Sequence, residues 1–142
     1  MIRQEFTINS VNWRVIVWYA VDCYHADEII DDLIRIGCRG DELKIAKQNL
    51  WSCKYDNGIT FSNDTTRSSV VVIGLAESPW QYHNTITHER GHLAAHIAKT
   101  FHLDPFGEDI RYIEGEAAQK MWKYEHLLIC PRCKNKLKKY IY

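Results

Sequence analysis

The stretch that decides the fold is SSVVVIGLAESPWQYHNTITHERGHLAAH, residues 68–96, in which an apolar run meets a helical pattern. Residues 68–76 are rich in β-branched side chains and predict a buried strand. Ser78 is a residue type that caps helices, and Pro79 suits a first helical turn. The stretch therefore predicts a strand that leads directly into a long helix, which runs to about Thr100.

Further elements are expected on both sides of this stretch. Runs of β-branched and aromatic residues predict an N-terminal hairpin, and apolar residues three and four apart predict more helices. The predicted segments are strands over residues 5–8 and 13–20 and helices over residues 26–40, 41–50 and 108–128, the first of these helices ending at Gly40. The sequence Asp56-Asn57-Gly58 predicts a hairpin turn, because Asn and Gly tolerate positive φ. We expect an α+β fold in which a small mixed or antiparallel sheet packs on the long helix and on the C-terminal helix.

The composition indicates a folded domain of ordinary size. The chain has 142 residues, of which 46% are hydrophobic and 25% are charged, as in soluble globular proteins. Its formal net charge of +0 supplies no overall field that would attract nucleic acid or an anionic membrane. We expect one domain over residues 1–128, followed by a short tail over residues 129–142.

Targeting signals and cysteines predict the compartment. The N-terminus lacks the apolar run of a secretory signal, and no stretch approaches the roughly 20 apolar residues that span a bilayer. The five cysteines are odd in number and mostly scattered, which suits a reducing compartment better than a disulfide framework. We therefore expect a cytoplasmic protein without a membrane partner.

The long helix carries the pattern HExxH, formed by His88, Glu89 and His92. Residues four apart lie on one face of a helix, so the two imidazoles can bind a single Zn²⁺ ion. Glu89 then lies beside the open coordination position, where it can take a proton from metal-bound water. The pattern predicts a zinc-dependent hydrolase with Glu89 as the general base. Arg90 is a departure, since the inner positions of this motif are usually uncharged.

A catalytic zinc site also needs a third protein ligand. The C-terminal helix offers Glu114 and Glu116, of which Glu116 borders the predicted core-facing stripe, where a carboxylate can reach inward. The rival ligands are His102, Asp104 and His96, although a hydrogen bond within the core is the expected role of His96. Nothing in the sequence selects a group that would stabilise the oxyanion of the transition state. The candidates for that role are Arg111, Tyr112 and His126.

Two segments resemble a known family. THERGHLAAH followed by EGEAAQKMW is similar to the ImmA/IrrE-type zinc peptidases, small gluzincin-like proteins in which an HExxH helix precedes a helix with a Glu-Ala pair. The resemblance implies that His88 and His92 bind zinc, that Glu89 is the general base and that Glu116 is the third ligand. It covers residues 68–128, which is under half of the chain.

The family also implies a kind of substrate. The resemblance implies an endopeptidase that acts on a protein or peptide, often a transcriptional repressor, in a bacterial or phage setting. In zincins generally the substrate lies extended along the strand beside the active helix, so residues 70–75 are expected to pair with it. This chain departs from the family at Lys120-Met121, where a Phe-Ala pair is usual. A histidine third ligand such as His102 would instead resemble the SprT-like proteases, which act on DNA-bound proteins.

The tail contains a second cysteine motif. Cys130 and Cys133 have the CxxC spacing of half a structural zinc site, and a redox dithiol or an inert pair is the alternative interpretation. The lysines that follow make the tail basic. Nucleic-acid contact is not expected of the rest of the chain, and the tail is the one segment where such contact is an alternative. The alternative hypothesis for the whole protein is a zincin-like binding or structural protein without turnover, whose tail contacts a partner or nucleic acid.

Overall fold

The structure, a computed structural model, describes residues 1–22, 26–53 and 58–126. Within these ranges the chain forms one sheet with helices packed against it. The elements are β1 (Ile2–Ile8), β2 (Trp13–Val21), α1 (Ala26–Arg35), α2 (Gly40–Trp51), β3 (Gly58–Asn63), β4 (Ser68–Gly74), α3 (Pro79–Thr100) and α4 (Glu108–Glu125). This arrangement confirms the predicted α+β class.

The sheet has the strand order β1-β2-β4-β3. The outer pairs, β1 with β2 and β3 with β4, are antiparallel, whereas the central pair, β2 with β4, is parallel. The two central strands are the most apolar runs of the chain, and every residue of β4 is buried. A continuous apolar run is expected of a strand that is covered on both faces. The sheet is therefore mixed, and β1 and β3 form its edges.

Helices cover both faces of the sheet. Alternate residues of a strand point to opposite faces, so Val15 and Val17 belong to one core and Ile16 and Trp18 to the other. Helices α3 and α4 pack on the first core, and α1 and α2 pack on the second. The helix with the HExxH motif is thus seated on one face of the sheet.

Helix α3 begins and ends where the sequence predicts. Ser78 is its N-cap and accepts a hydrogen bond from the main-chain N–H of Gln81 at 3.1 Å, and Pro79 lies in the first turn. Ile86 and Leu93, both buried, seat the helix on the sheet. At 100° per residue, Glu89 and Arg90 flank this buried face, whereas His88 and His92 lie on the opposite, exposed side.

The predicted end of the first helix at Gly40 is wrong. Helix α1 ends at Arg35, and Gly37 follows with a φ of 103°, which a glycine adopts without strain, while Gly40 begins α2. A Cβ on Gly37 would also lie 2.5 Å from Nδ2 of Asn63, so the end of that side chain would have to move aside.

Some predictions fall outside the described residues. The turn at Asp56 and Asn57 is one of them, and the tail with Cys130 and Cys133 is another. Helix α4 lies within the predicted 108–128 segment. The hairpin that the structure describes in this half of the chain joins β3 to β4 through residues 64–67.

Two observations bear on the predicted compartment. Among the described helices, none combines the length and the apolar character needed to cross a bilayer. Of the described cysteines, Cys38 is buried and free, whereas Cys53 is disulfide-bonded. A disulfide is not what scattered cysteines in a reducing compartment lead one to expect.

Candidate active site

His88 and His92 converge on the exposed side of α3. Their Nε2 atoms lie 3.0 Å apart, and their rings are nearly perpendicular with centroids 4.6 Å apart. Two nitrogen ligands of a tetrahedral zinc ion, each about 2.0–2.1 Å from the metal, lie roughly 3.3 Å from one another. The two imidazoles therefore fit a shared metal ion with little rearrangement, as their spacing of one helical turn predicts.

Glu89 lies on a different side of the helix from the two histidines. A helix turns by about 100° per residue, which carries Glu89 away from the exposed face and towards β3. Only 5% of Glu89 is exposed, and the Thr60 hydroxyl donates a hydrogen bond to its Oε2 atom. A buried carboxylate is costly without such a partner. The structure thus holds the predicted general base in a defined position between α3 and β3.

Gly58 provides the space that Glu89 occupies. A Cβ at this position would lie 2.7 Å from Cγ of Glu89 and 2.9 Å from the carbonyl oxygen of Val72. Both distances are shorter than ordinary contacts, so a larger residue would displace the carboxylate or the strand. Gly58, Thr60 and Ser62 lie two apart along β3, so they share the face that is turned towards α3.

His96, one turn beyond His92, is joined to the core by a chain of hydrogen bonds. Its Nδ1 atom lies 2.7 Å from Oγ of Ser62, which is 2.6 Å from Oγ of Ser69. Ser69 in turn accepts a hydrogen bond from the indole N–H of Trp13 at 2.8 Å. Burial, with smaller contributions from His92 and Lys99, lowers the pKa of His96. The hydrogen bond expected for His96 is present, although its partner lies on β3.

Arg90, the departure from the usual motif, faces α4. Its guanidinium lies 3.1 Å from a carboxylate oxygen of Glu125, and the two side chains are only 14% and 10% exposed. The charge therefore belongs to the contact between α3 and α4. It leaves the side of the helix that carries His88 and His92 unaffected.

The structure does not bring Glu116 to the histidine pair. Its carboxylate accepts hydrogen bonds from the main-chain N–H groups of Asn9, at 2.5 Å, and Ser10, at 3.2 Å. This turn joins β1 to β2, whereas Glu89 lies beside β3 at the other edge of the sheet. Burial alone would raise the pKa of Glu116, but the hydrogen bonds from the turn and the nearby Lys120 outweigh it and the pKa is lowered.

The other candidate ligands have partners of their own or lie elsewhere. Glu114 is paired with Arg111 at 2.9 Å, and Oδ1 of Asp104 accepts a hydrogen bond from the main chain of Phe106. His102 follows the end of α3 with a φ of 55°. Within the described ranges, no group of three or more His, Cys, Asp or Glu side chains is arranged to hold a metal ion.

The oxyanion candidates of the sequence lie on or just after α4. Arg111 is engaged by Glu114, Tyr112 is 72% exposed, and Nδ1 of His126 lies against the main-chain oxygen of Trp122. Helix α4 meets the side of α3 that carries Arg90.

The sequence did not lead us to predict that residues of β3 belong to the site. The pattern that indicates this strand face is the alternation of Gly58, Thr60 and Ser62 with large apolar residues.

A groove follows the outer edge of β3. It has a volume of about 1290 Å³ and is lined by Thr60, Ser62, His96 and Lys99 among others. The expectation that residues 70–75 pair with a substrate is wrong, because β4 lies between β2 and β3 and its main chain is already paired. Among the described strands, the one that lies beside α3 and has an edge without a strand partner is β3.

The comparisons with known proteins found no relative. No protein-family model matches the chain, and no curated protein or solved structure matches it at a significant level. The resemblance to the ImmA/IrrE-type peptidases therefore rests on the motif residues alone.

Proposed function

We propose that this protein is a zinc-dependent metallopeptidase in which His88 and His92 bind the metal and Glu89 is the general base. The proposal rests on one observation, the convergence of the two Nε2 atoms to 3.0 Å, on a helix whose Glu89 carboxylate is buried and held by Thr60. A hydrogen bond from one ring to the other accounts for the same contact without a metal, and the zinc measurements below distinguish the two. Glu116 is not part of the proposed metal site, because the β1–β2 turn occupies its carboxylate.

The residues of the proposed site have different chemical roles. His88 and His92 would hold a zinc ion, which when bound would supply a Lewis acid for a water molecule and for the scissile carbonyl. Oε2 of Glu89 is held by Thr60, so Oε1 is the oxygen that accepts the proton of the attacking water. Glu89 then returns this proton to the leaving amine, and the burial of its side chain keeps bulk water from competing.

The substrate in this proposal is an extended segment of a protein. Within the described part of the chain the outer edge of β3 has no strand partner, which favours such a segment, since main-chain groups of an edge strand can pair with an added strand. A regulatory protein such as a repressor is the expected substrate by analogy with the family that the motif resembles. The cytoplasm is the proposed compartment on the basis of the odd and scattered cysteines, although Cys53 is disulfide-bonded.

Metal content and activity, measured on the same variants, test this proposal. The full chain is loaded with zinc, passed over a desalting column and analysed for zinc per chain by mass spectrometry. We expect about one zinc lost in His88→Ala and in His92→Ala, and none lost in His83→Ala, an exposed histidine of the same helix that serves as the control. Zinc binding that does not depend on His88 and His92 would overturn the assignment of the site.

Glu89→Gln separates an enzyme from a binding protein. With a library of internally quenched peptides as the probe, this variant should lose cleavage while it keeps its zinc, because an amide cannot accept the proton. Cleavage that survives the substitution would show that Glu89 is not the base. Zinc binding at the histidine pair without any cleavage by the wild type would favour the alternative, a binding protein without turnover.

A further inference from the structure

We propose that His96 presents a fixed Nε2–H donor to the substrate carbonyl oxygen beside the metal, and that a chain of hydroxyl groups from Trp13 sets this tautomer. This inference rests on the proposed function, and it fills the oxyanion-stabilising role for which the sequence offered candidates only on and after α4. The tautomer is assigned from the hydrogen-bond network.

The assignment begins at Trp13, whose indole nitrogen can only donate. Oγ of Ser69 accepts this hydrogen bond at 2.8 Å, and Ser69 is fully buried, so its own proton needs a nearby acceptor. The Ser62 hydroxyl oxygen is 2.6 Å away and accepts a hydrogen bond from Ser69. The Ser62 hydroxyl then donates its own hydrogen bond to Nδ1 of His96, at 2.7 Å. Because Nδ1 accepts a hydrogen bond, the proton of a neutral ring is on Nε2.

The opposite direction leaves a group without a partner. If Nδ1 of His96 carried the proton and donated to Ser62, two arrangements of the hydroxyl protons would remain. Ser62 would either donate to Ser69, whose own proton would then have no acceptor among the hydrogen bonds of the described residues, or accept from both His96 and Ser69 and leave its own proton without one. The direction from Trp13 to His96 gives every hydroxyl proton an acceptor within this chain of hydrogen bonds, so it is favoured.

The position of His96 suits a donor to the substrate. Its ring centroid is 6.2 Å from that of His92, a proposed metal ligand, and its side chain lines the groove at β3. A substrate carbonyl that reaches the metal from this groove passes the His96 ring. A donor held in place before the reaction stabilises the charge that develops on that oxygen. The same proton on Nε2 prevents His96 from binding zinc through that nitrogen, which separates it from His88 and His92.

Nitrogen NMR of the histidine rings tests the tautomer without any need for activity. In protein labelled with ¹⁵N-histidine, the two ring nitrogens of His96 are distinguished by two-bond ¹H–¹⁵N correlations and assigned with His96→Phe. We expect a protonated Nε2 in the apo protein, unchanged when zinc is added, while Nε2 of His88 and of His92 shifts. A protonated Nδ1, or a zinc-induced shift of Nε2 of His96, would overturn the proposal.

Kinetics test the role of the donor. Loss of a single oxyanion donor lowers kcat by about 10²- to 10³-fold in well-studied hydrolases. We expect a loss of this order for His96→Phe, with KM and zinc per chain retained, and a smaller loss of kcat for Ser62→Ala, which frees the tautomer. His83→Phe, on the same helix, is the control. An unchanged kcat in His96→Phe would refute the role even if the tautomer is as expected.

The two proposals fail in different ways. A wild type that binds no zinc at the histidine pair, or that cleaves nothing, contradicts the proposed function whatever the NMR result. An active enzyme with Glu89-dependent cleavage but with a protonated Nδ1 on His96 contradicts the further inference alone.

Discussion

The ion pair between Arg90 and Glu125 leads to the most quantitative prediction. Arg90 stands within the HExxH motif, yet its guanidinium contacts Glu125 of α4 at 3.1 Å. Since the side chains are only 14% and 10% exposed, removal of one partner leaves the other charge largely out of water. Breaking a buried pair in this way costs about 3–5 kcal/mol, and the residual exposure places our expectation for Arg90→Ala near the lower end, at about 3 kcal/mol.

The same chain provides a matched control of opposite burial. Arg111 and Glu114 of α4 form an ion pair at 2.9 Å, but their side chains are 55% and 30% exposed. An exposed pair of residues three apart on a helix contributes only about 0.2–0.5 kcal/mol. If burial rather than distance sets the energy, Glu125→Ala and Arg90→Ala should each cost several times more than Arg111→Ala.

Urea unfolding, followed by circular dichroism, gives the free energies for a double-mutant cycle. We expect Arg90→Met combined with Glu125→Leu to recover most of the loss of either single variant, because the apolar pair leaves no unpaired charge. Zinc per chain should stay unchanged in all these variants, since Arg90 faces away from His88 and His92. The reasoning is refuted if Arg90→Ala costs no more than Arg111→Ala, or if Arg90→Ala removes the zinc.

Three further substitutions test the site and its surroundings. Gly58→Ala should destabilise the fold by about 1–3 kcal/mol and abolish cleavage while zinc is retained, since its Cβ would lie 2.7 Å from Cγ of Glu89; unchanged kcat would contradict the close packing. Thr60→Val should lower kcat with little change in KM, and Thr60→Ser should restore it, because only the hydroxyl holds Oε2 of Glu89; equal kcat in the two variants would refute this role. Glu116→Gln should keep all zinc and cost roughly 1 kcal/mol at neutral pH, since the lost hydrogen bonds are to a partly exposed charge. The folded-state pKa of Glu116 is lowered, so this stability is present above the unfolded pKa of about 4.3 and disappears as the pH falls through the folded value. Urea titrations at neutral and acid pH measure the difference, and loss of zinc in Glu116→Gln would restore Glu116 as a ligand.

Local patterns in the sequence were sufficient for much of the fold. The strand at residues 68–74, the cap at Ser78 and the extent of α3 follow from residue types that act within a few positions. The convergence of His88 and His92 is of the same kind, since one helical turn separates them. The end of α1 was misplaced at Gly40 because two glycines lie close together, and only the chain path shows that Gly37 makes the turn.

The sequence by itself thus determined the elements and the histidine pair, because helical and strand periodicities are set by near neighbours. The tertiary structure alone decided which residues surround the pair. Glu89 meets Thr60 across 29 positions, His96 meets Ser62 across 34, and Glu116 meets Asn9 across 107. These contacts depend on the strand order, which makes β3 the edge beside α3 and places Glu116 near the other edge, at the β1–β2 turn. Strand order is a property of the whole packed chain, and no spacing within one segment encodes it.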